Sequence, residues 1–138
     1  MVIRIALAVR PYAARAPWPA AVVGAAAIAG TASLVLMIAI ATLAYDESPW
    51  KLARMMAALV RGPAALAPED EFDAGLVALG FGVHFMLSLV YTLALAGLLH
   101  ELPRESAPLA GLLFGLVLYA ANLHGFTQWF PWFAPMRT

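Results

Sequence analysis

The run AGLVALGFGVHFMLSLVYTLALAGLL, residues 74–99, decides the fold class because it contains no Asp, Glu, Lys or Arg. About 20 apolar residues in an α-helix are enough to cross the ~30 Å hydrocarbon layer of a bilayer. A single strand or an irregular segment would leave backbone polar groups without partners in lipid, whereas a helix pairs them internally. This run therefore predicts a transmembrane helix over residues 74–100.

Two further runs, over residues 19–45 and 107–129, also lack those charged residues and have comparable length. The first is too long for the apolar part of a signal peptide, so we expect it to be retained. The chain of 138 residues is 64% hydrophobic and only 12% charged, whereas an average soluble protein is ~25% charged. We therefore predict an all-α integral membrane protein with three transmembrane helices, over residues 19–45, 74–100 and 107–129.

The loop over residues 46–73 contains a short amphipathic pattern. Ser48 suits an N-cap and Gly62 a stop, which predicts a helix over residues 49–61, too short to span a bilayer. One side carries Leu52, Met55, Met56, Leu59 and Val60, and the other carries Lys51, Arg54 and Arg61. We favour a position in the membrane interface, with Trp50 at the start of the helix. Docking on the spans or on a partner protein is the alternative.

The remaining segments set the topology. Residues 101–106 form a polar turn short enough to make the second and third spans an antiparallel hairpin. Residues 1–18 form a basic segment and residues 130–138 an aromatic tail, with Trp18, Trp129 and Trp132 expected at the interface. Four Lys or Arg residues lie on each side of the predicted membrane, so the positive-inside rule gives no preferred orientation. We place the N-terminus in the cytoplasm because the first span usually dominates.

Polar residues inside the spans are the candidate functional residues, because ionisable groups in lipid are costly. The expected polar cluster consists of His84, Ser88, Tyr91, Tyr119 and Asn122. Its first three members share one face of the second span at i, i+4, i+7 spacing. Folding at the short turn brings His124 level with His84. However, His124 is turned by ~200° from Asn122 at ~100° per residue, which argues against pairing the two histidines.

Three roles for this cluster stay open. A neutral His84 would hydrogen-bond a backbone carbonyl, Tyr119 or Asn122, and such bonds contribute ~0.6 kcal/mol on average. Alternatively, His84 and His124 would bind haem b or a quinone. A proton or substrate path is the third role. We favour the structural role. No catalytic residue and no metal site is predicted, since the spans contain no carboxylate and the chain contains no cysteine.

Small residues mark the predicted helix-packing faces. Gly111 and Gly115 form a small-xxx-small pattern on the third span, and Gly30 lies on a small-residue face of the first span. Such residues let helix backbones approach closely, which matters in lipid because no hydrophobic force drives helix association there.

From Ser48 onward the chain resembles an uncharacterised family of small bacterial multi-pass membrane proteins, sometimes labelled sodium/proline symporters. The matching segments are PWKLARMMAALVRGPAAL (49–66), FDAGLVALGFGVHFMLSLVYTLALAGLL (72–99) and FGLVLYAANLHGFTQWFPWF (114–133). The resemblance implies a bacterial membrane protein in which the Pro-Trp helix, His84 and the aromatic tail recur together. It implies no catalytic or binding residues.

These observations favour a small accessory or structural subunit of a larger membrane complex, which packs through its small-residue faces and its aromatic tail. A small homo-oligomeric transporter or channel is one alternative, and a haem b or quinone-binding subunit using His84 is another. The expected partners are the lipid bilayer and other membrane subunits or further copies of the chain. The expected location is the bacterial inner membrane. A formal net charge of zero gives no argument for nucleic acid.

Overall fold

The computed structural model describes residues 18–68 and 71–131, and every regular element in these ranges is helical, which confirms the all-α fold class. The elements are α1 (Trp18–Ala44), α2 (Pro49–Arg61), a 3₁₀ turn (Pro63–Leu66), α3 (Ala74–His100), a second 3₁₀ turn (Arg104–Ser106), α4 (Ala107–Ala120), a π turn (Ala121–Gly125) and α5 (Phe126–Trp129). Residues 1–17, the side chain of Trp18, and Trp132 lie outside the described part, so their interfacial positions stay predictions.

Two helices are long and apolar enough to cross a membrane. These are Pro19–Ala44 within α1, with 26 residues, and Ala74–His100, which is α3, with 27 residues. The third predicted span is helical along residues 107–129 but is divided into α4, the π turn and α5. α4 itself has 14 residues, fewer than the ~20 that cross a bilayer.

Local sequence signals explain where α2 and α3 begin and end. The Ser48 hydroxyl accepts a hydrogen bond from the Trp50 N–H at 3.3 Å and caps the start of α2. Gly62 follows the last residue of α2 with φ +81°, a left-handed conformation that glycine adopts without steric cost. The Asp73 carboxylate accepts a backbone N–H at 2.9 Å and caps the start of α3.

α1 and α3 pack side by side along one row of α1. The buried residues of that row, every fourth along the helix, are Val22, Ala26, Gly30 and Leu34. Gly30 lies against Phe85 and Ser88 of α3, whereas the C-terminal end of α1 leads through α2 to the N-terminal part of α3. The two helices therefore run in opposite directions.

α2 packs on α3, which is the docking alternative that the sequence left open. A Cβ on Gly80 would overlap the backbone carbonyl of Ala53, so the two helix backbones are in contact. The buried residues of α2 are Leu52, Ala53, Arg54, Ala57 and Ala58. Three of these five residues are alanines, and their small side chains let the backbone of α2 lie against that of α3. Val60, predicted on the apolar side, is 63% exposed.

α4 follows α3 through the predicted turn but is not closely packed on it. Among the residues of α4, Ala110 is the buried one. Its large side chains with more than half of their area exposed are Leu109, Leu112, Leu113, Leu116, Val117 and Tyr119. In the described residues α1, α2 and α3 thus pack on one another, and α4 is attached to them at one end.

Candidate functional site

His84 lies at the contact between α1 and α3 and is 9% exposed. Its Nε2 is 2.9 Å from the carbonyl oxygen of Gly30. A carbonyl can only accept, so Nε2–H donates this hydrogen bond. The Ser33 hydroxyl donates to the same carbonyl at 3.0 Å and lies 3.4 Å from Nε2. These three groups join the two helices in the middle of their apolar runs.

Gly30 makes room for this arrangement. A Cβ at that position would lie 3.0 Å from the Ser88 hydroxyl oxygen and 3.1 Å from ring carbons of Phe85. Phe85 in turn meets the His84 ring edge-on, with ring centroids 5.5 Å apart and an interplanar angle of 79°. The structure places Gly30 at a helix contact, as expected from its type, and the histidine is the partner that sequence reasoning missed.

The polar residues of α3 do not form one cluster with α4. Ser88 donates its hydroxyl to the His84 carbonyl at 2.9 Å, within its own helix. Tyr91 donates to the Asn122 amide oxygen at 3.1 Å. His84 faces α1, and Tyr119 is 66% exposed. The expected cluster is thus divided, because the short imidazole reaches the closely packed helix while the longer tyrosine reaches the π turn.

His84 and His124 are not brought together. His124 lies in the π turn with its side chain exposed, and the Thr127 hydroxyl donates to its backbone carbonyl at 3.0 Å. In the described residues no hydrogen bond or ring contact joins the two imidazoles. A π turn changes the direction of side chains by inserting a residue into the helical repeat, and such turns are frequent at functional sites. In the sequence, Gly125 is the one signal for the π turn over Ala121–Gly125.

Arg54 is the second buried polar residue, at 3% exposed. Its Nε and one Nη donate to the Glu71 carbonyl at 3.0 and 2.8 Å, and its other Nη donates to the Ala65 carbonyl at 3.2 Å. The planar guanidinium therefore joins both ends of the loop between α2 and α3. The sequence places Arg54 on the polar side of α2 with Lys51 and Arg61, but the structure buries it, since the loop folds over it and supplies carbonyl acceptors.

The other residues expected at the interface lie near helix ends. Trp50 meets Phe72 edge-on, with ring centroids 4.8 Å apart. Lys51 forms an ion pair with Glu47 at 2.9 Å. Arg61 is exposed at the end of α2. Trp129 is 76% exposed at the end of α5.

The Gly111 and Gly115 face of α4 is open. A Cβ at either position would meet no atom of the described residues within 4 Å. The pair therefore stays a predicted packing face, whose neighbour the described residues do not supply. The closest glycine contact of α3 is that of Gly80, and it is with α2.

The arrangement holds no group of three or more His, Asp or Glu side chains that could bind a metal ion in the described residues. Binding of haem or a quinone through the Nε2 of His84 would require that atom to release the Gly30 carbonyl, which would leave that carbonyl with the Ser33 hydroxyl alone as its side-chain donor among the described residues. No family model, curated protein or solved structure matches the chain. The contacts that the structure shows at this site are hydrogen bonds that join α1 and α3.

Proposed function

We propose that this chain is a three-span protein of the bacterial inner membrane that serves as a small accessory or structural subunit of a larger membrane complex. α1 and α3 supply two candidate spans, and residues 107–129 supply a third helical segment of similar length and apolar character. In this proposal α4, the π turn and α5 cross the membrane together.

The open face of α4 is the observation that carries the subunit role. Helix association in lipid depends on close packing of small residues, and Gly80 and Gly30 are engaged in such packing within the chain. Gly111 and Gly115 form a small-xxx-small pair, and a Cβ on either would meet no atom of the described residues within 4 Å. A helix of another subunit, packed against this face, would complete the contact.

The polar residues support the same role. His84 and Arg54 are both buried, and their hydrogen bonds go to backbone carbonyls of the chain itself. They connect elements of the chain, as expected of a packing subunit. Neither forms a pocket with the exposed Tyr119 or His124.

The test is co-purification in mild detergent with mass spectrometry of the bound proteins. The wild-type chain is compared with Gly111→Leu/Gly115→Leu, which fills the open face. Gly97→Leu is the matched control, because a Cβ at Gly97 also meets nothing within 4 Å. We expect the wild type and the control to retain a partner that the double variant loses.

Two results would contradict the proposal. One is a wild-type chain that purifies without any other protein. The other is a chain that crosslinks only to copies of itself, which would favour the homo-oligomeric transporter or channel. A visible spectrum of the same sample tests the haem alternative, since bound haem b gives a Soret band.

A further inference from the structure

Tyr119 and Asn122 carry hydrogen-bond donors that find no acceptor among the described residues. Tyr119 is 66% exposed, and no hydrogen bond joins its hydroxyl to any described residue. Asn122 is also exposed, and its amide oxygen accepts a hydrogen bond from the Tyr91 hydroxyl at 3.1 Å. Its amide nitrogen can donate two hydrogen bonds, and the described part of the chain supplies no acceptor for them.

The depth of these two side chains in the proposed third span makes the missing acceptors costly. Tyr119 lies ~18 Å from Ala107 along the helix, close to the middle of residues 107–129 and so of the hydrocarbon layer. Asn122 lies less than one helical turn further on. Acyl chains offer no acceptor at this depth, and a polar group without a partner in apolar surroundings is unfavourable.

Other polar side chains of the apolar helices find their acceptors within the chain. The hydroxyls of Thr42 and Thr92 donate to carbonyls of the preceding turn at 2.8 Å each. His84 donates to the Gly30 carbonyl of the neighbouring helix at 2.9 Å. The Tyr119 hydroxyl stands at the far end of a rigid ring, so it cannot turn back to the carbonyls of its own helix. Its acceptor must come from a molecule that lies against α4.

The two residues continue the open face of α4. Gly111, Gly115, Tyr119 and Asn122 follow one another at i, i+4, i+8 and i+11, which places them on one side of the helix. A second helix that packs against the two glycines therefore also passes Tyr119 and Asn122. The backbone carbonyls of a regular helix are already paired with its own N–H groups, so only a side chain of that helix can accept from them.

We infer that the transmembrane helix that binds α4 carries an amide or carboxyl side chain in its middle, which accepts hydrogen bonds from Tyr119 and Asn122. The inference rests on the proposed subunit role and names the chemistry of the partner at that site. The small-residue pair allows the close approach of the two helices, and the polar pair selects a partner whose acceptor oxygen lies at the same depth.

Synthetic transmembrane peptides test this chemistry directly. Each peptide is a helix of about 20 leucine and alanine residues, with either glutamine or leucine at its centre. A central position is level with Tyr119 whether the peptide inserts parallel or antiparallel to α4. The full-length chain carries one dye on Ala64→Cys, an exposed position in a chain without cysteine. Energy transfer to a dye on the peptide measures association in phosphatidylcholine vesicles.

We expect the glutamine peptide to associate more tightly than the leucine peptide, by about threefold for each hydrogen bond formed. Tyr119→Phe removes one donor and keeps the exposed ring, so it should lower this preference by about threefold. Adding Asn122→Leu should abolish the preference. Tyr45→Phe is the matched control, because Tyr45 is 70% exposed but lies beyond the end of α1, and it should keep the full preference.

Equal association of the two peptides with the wild-type chain would overturn the inferred chemistry, and so would a preference that persists in the double variant. Association of both peptides that Gly111→Leu/Gly115→Leu removes would leave the open face as a binding surface for helices of any polarity. Co-purification of the chain with another protein tests the subunit role separately. A natural partner that Tyr119→Phe/Asn122→Leu retains in full would leave that role in place and overturn the inference alone.

Discussion

Replacing Gly80 by alanine tests the closest contact in the fold, between α3 and the backbone of α2. The new Cβ would overlap the Ala53 carbonyl oxygen and lie 2.7 Å from its carbonyl carbon. Because ordinary carbon contacts are ~3.5–4.0 Å, α2 must withdraw by about 1 Å. Backbone atoms cannot rotate away as side-chain atoms can, so the cost lies near the upper end of overpacking, about 3 kcal/mol.

Alanine substitutions at two further glycines, Gly82 and Gly30, serve as references for the stability cost of Gly80→Ala. An alanine in a helix gains about 1 kcal/mol over glycine, so the expected net loss for Gly80→Ala is ~2 kcal/mol. Gly82→Ala, whose Cβ meets nothing within 4 Å, is expected to gain up to ~1 kcal/mol. Gly30→Ala falls between them, because its Cβ meets the side chains of Ser88 and Phe85, which can adjust.

The free energy of unfolding is measured in dodecyl maltoside by titration with sodium dodecyl sulfate, followed by far-ultraviolet circular dichroism. The expected order, from the most to the least stable variant, is Gly82→Ala, then Gly30→Ala, then Gly80→Ala. The first and last should differ by ~3 kcal/mol. If Gly80→Ala unfolds at the same detergent fraction as Gly82→Ala, α2 does not touch α3 at this position and the argument fails.

Three other substitutions test the polar contacts. Arg54→Lys keeps the charge but cannot reach the Ala65 and Glu71 carbonyls together, so we expect faster proteolysis between α2 and α3; an unchanged cleavage rate would contradict this. His84→Ala removes the hydrogen bond to Gly30 and should lower the free energy of unfolding, measured by the same titration, by ~1 kcal/mol. The visible spectrum should not change; loss of a Soret band in this variant would instead assign His84 to haem. Tyr91→Phe should lower the free energy of unfolding by ~0.6 kcal/mol or less. A loss above ~2 kcal/mol would contradict this and would mean that the hydrogen bond to Asn122 holds α4 in place.

The sequence predicts those features of the fold that depend on neighbouring residues. The ends of α2 and α3 follow from Ser48, Gly62 and Asp73, whose capping chemistry acts within one turn. The apolar runs of α1 and α3 follow from composition alone. The burial of Arg54 could not be predicted because its partners are carbonyls of a folded loop, which helical spacing cannot show.

The site was predicted less well because its contacts join distant segments. A helical wheel places His84, Ser88 and Tyr91 on one face, but it cannot show which neighbour covers each part of that face. The hairpin argument selected α4 because it follows α3 in the chain. α1 is the actual neighbour of His84, 54 residues away, since Gly30 is where the two backbones approach.

The distribution of these contacts bears on the proposed role. In lipid the apolar side chains give no preference for one helix over another, so specificity comes from small residues and from polar groups that find partners. Gly30, Gly80, His84 and Arg54 satisfy this requirement by contacts among α1, α2, α3 and the loop that joins α2 to α3. α4 carries a small-xxx-small pair, Gly111 and Gly115, at which an added Cβ would meet no atom of the described residues within 4 Å. The proposed subunit role would use this difference: the contacts among α1, α2 and α3 would hold the fold, and α4 would bind the partner.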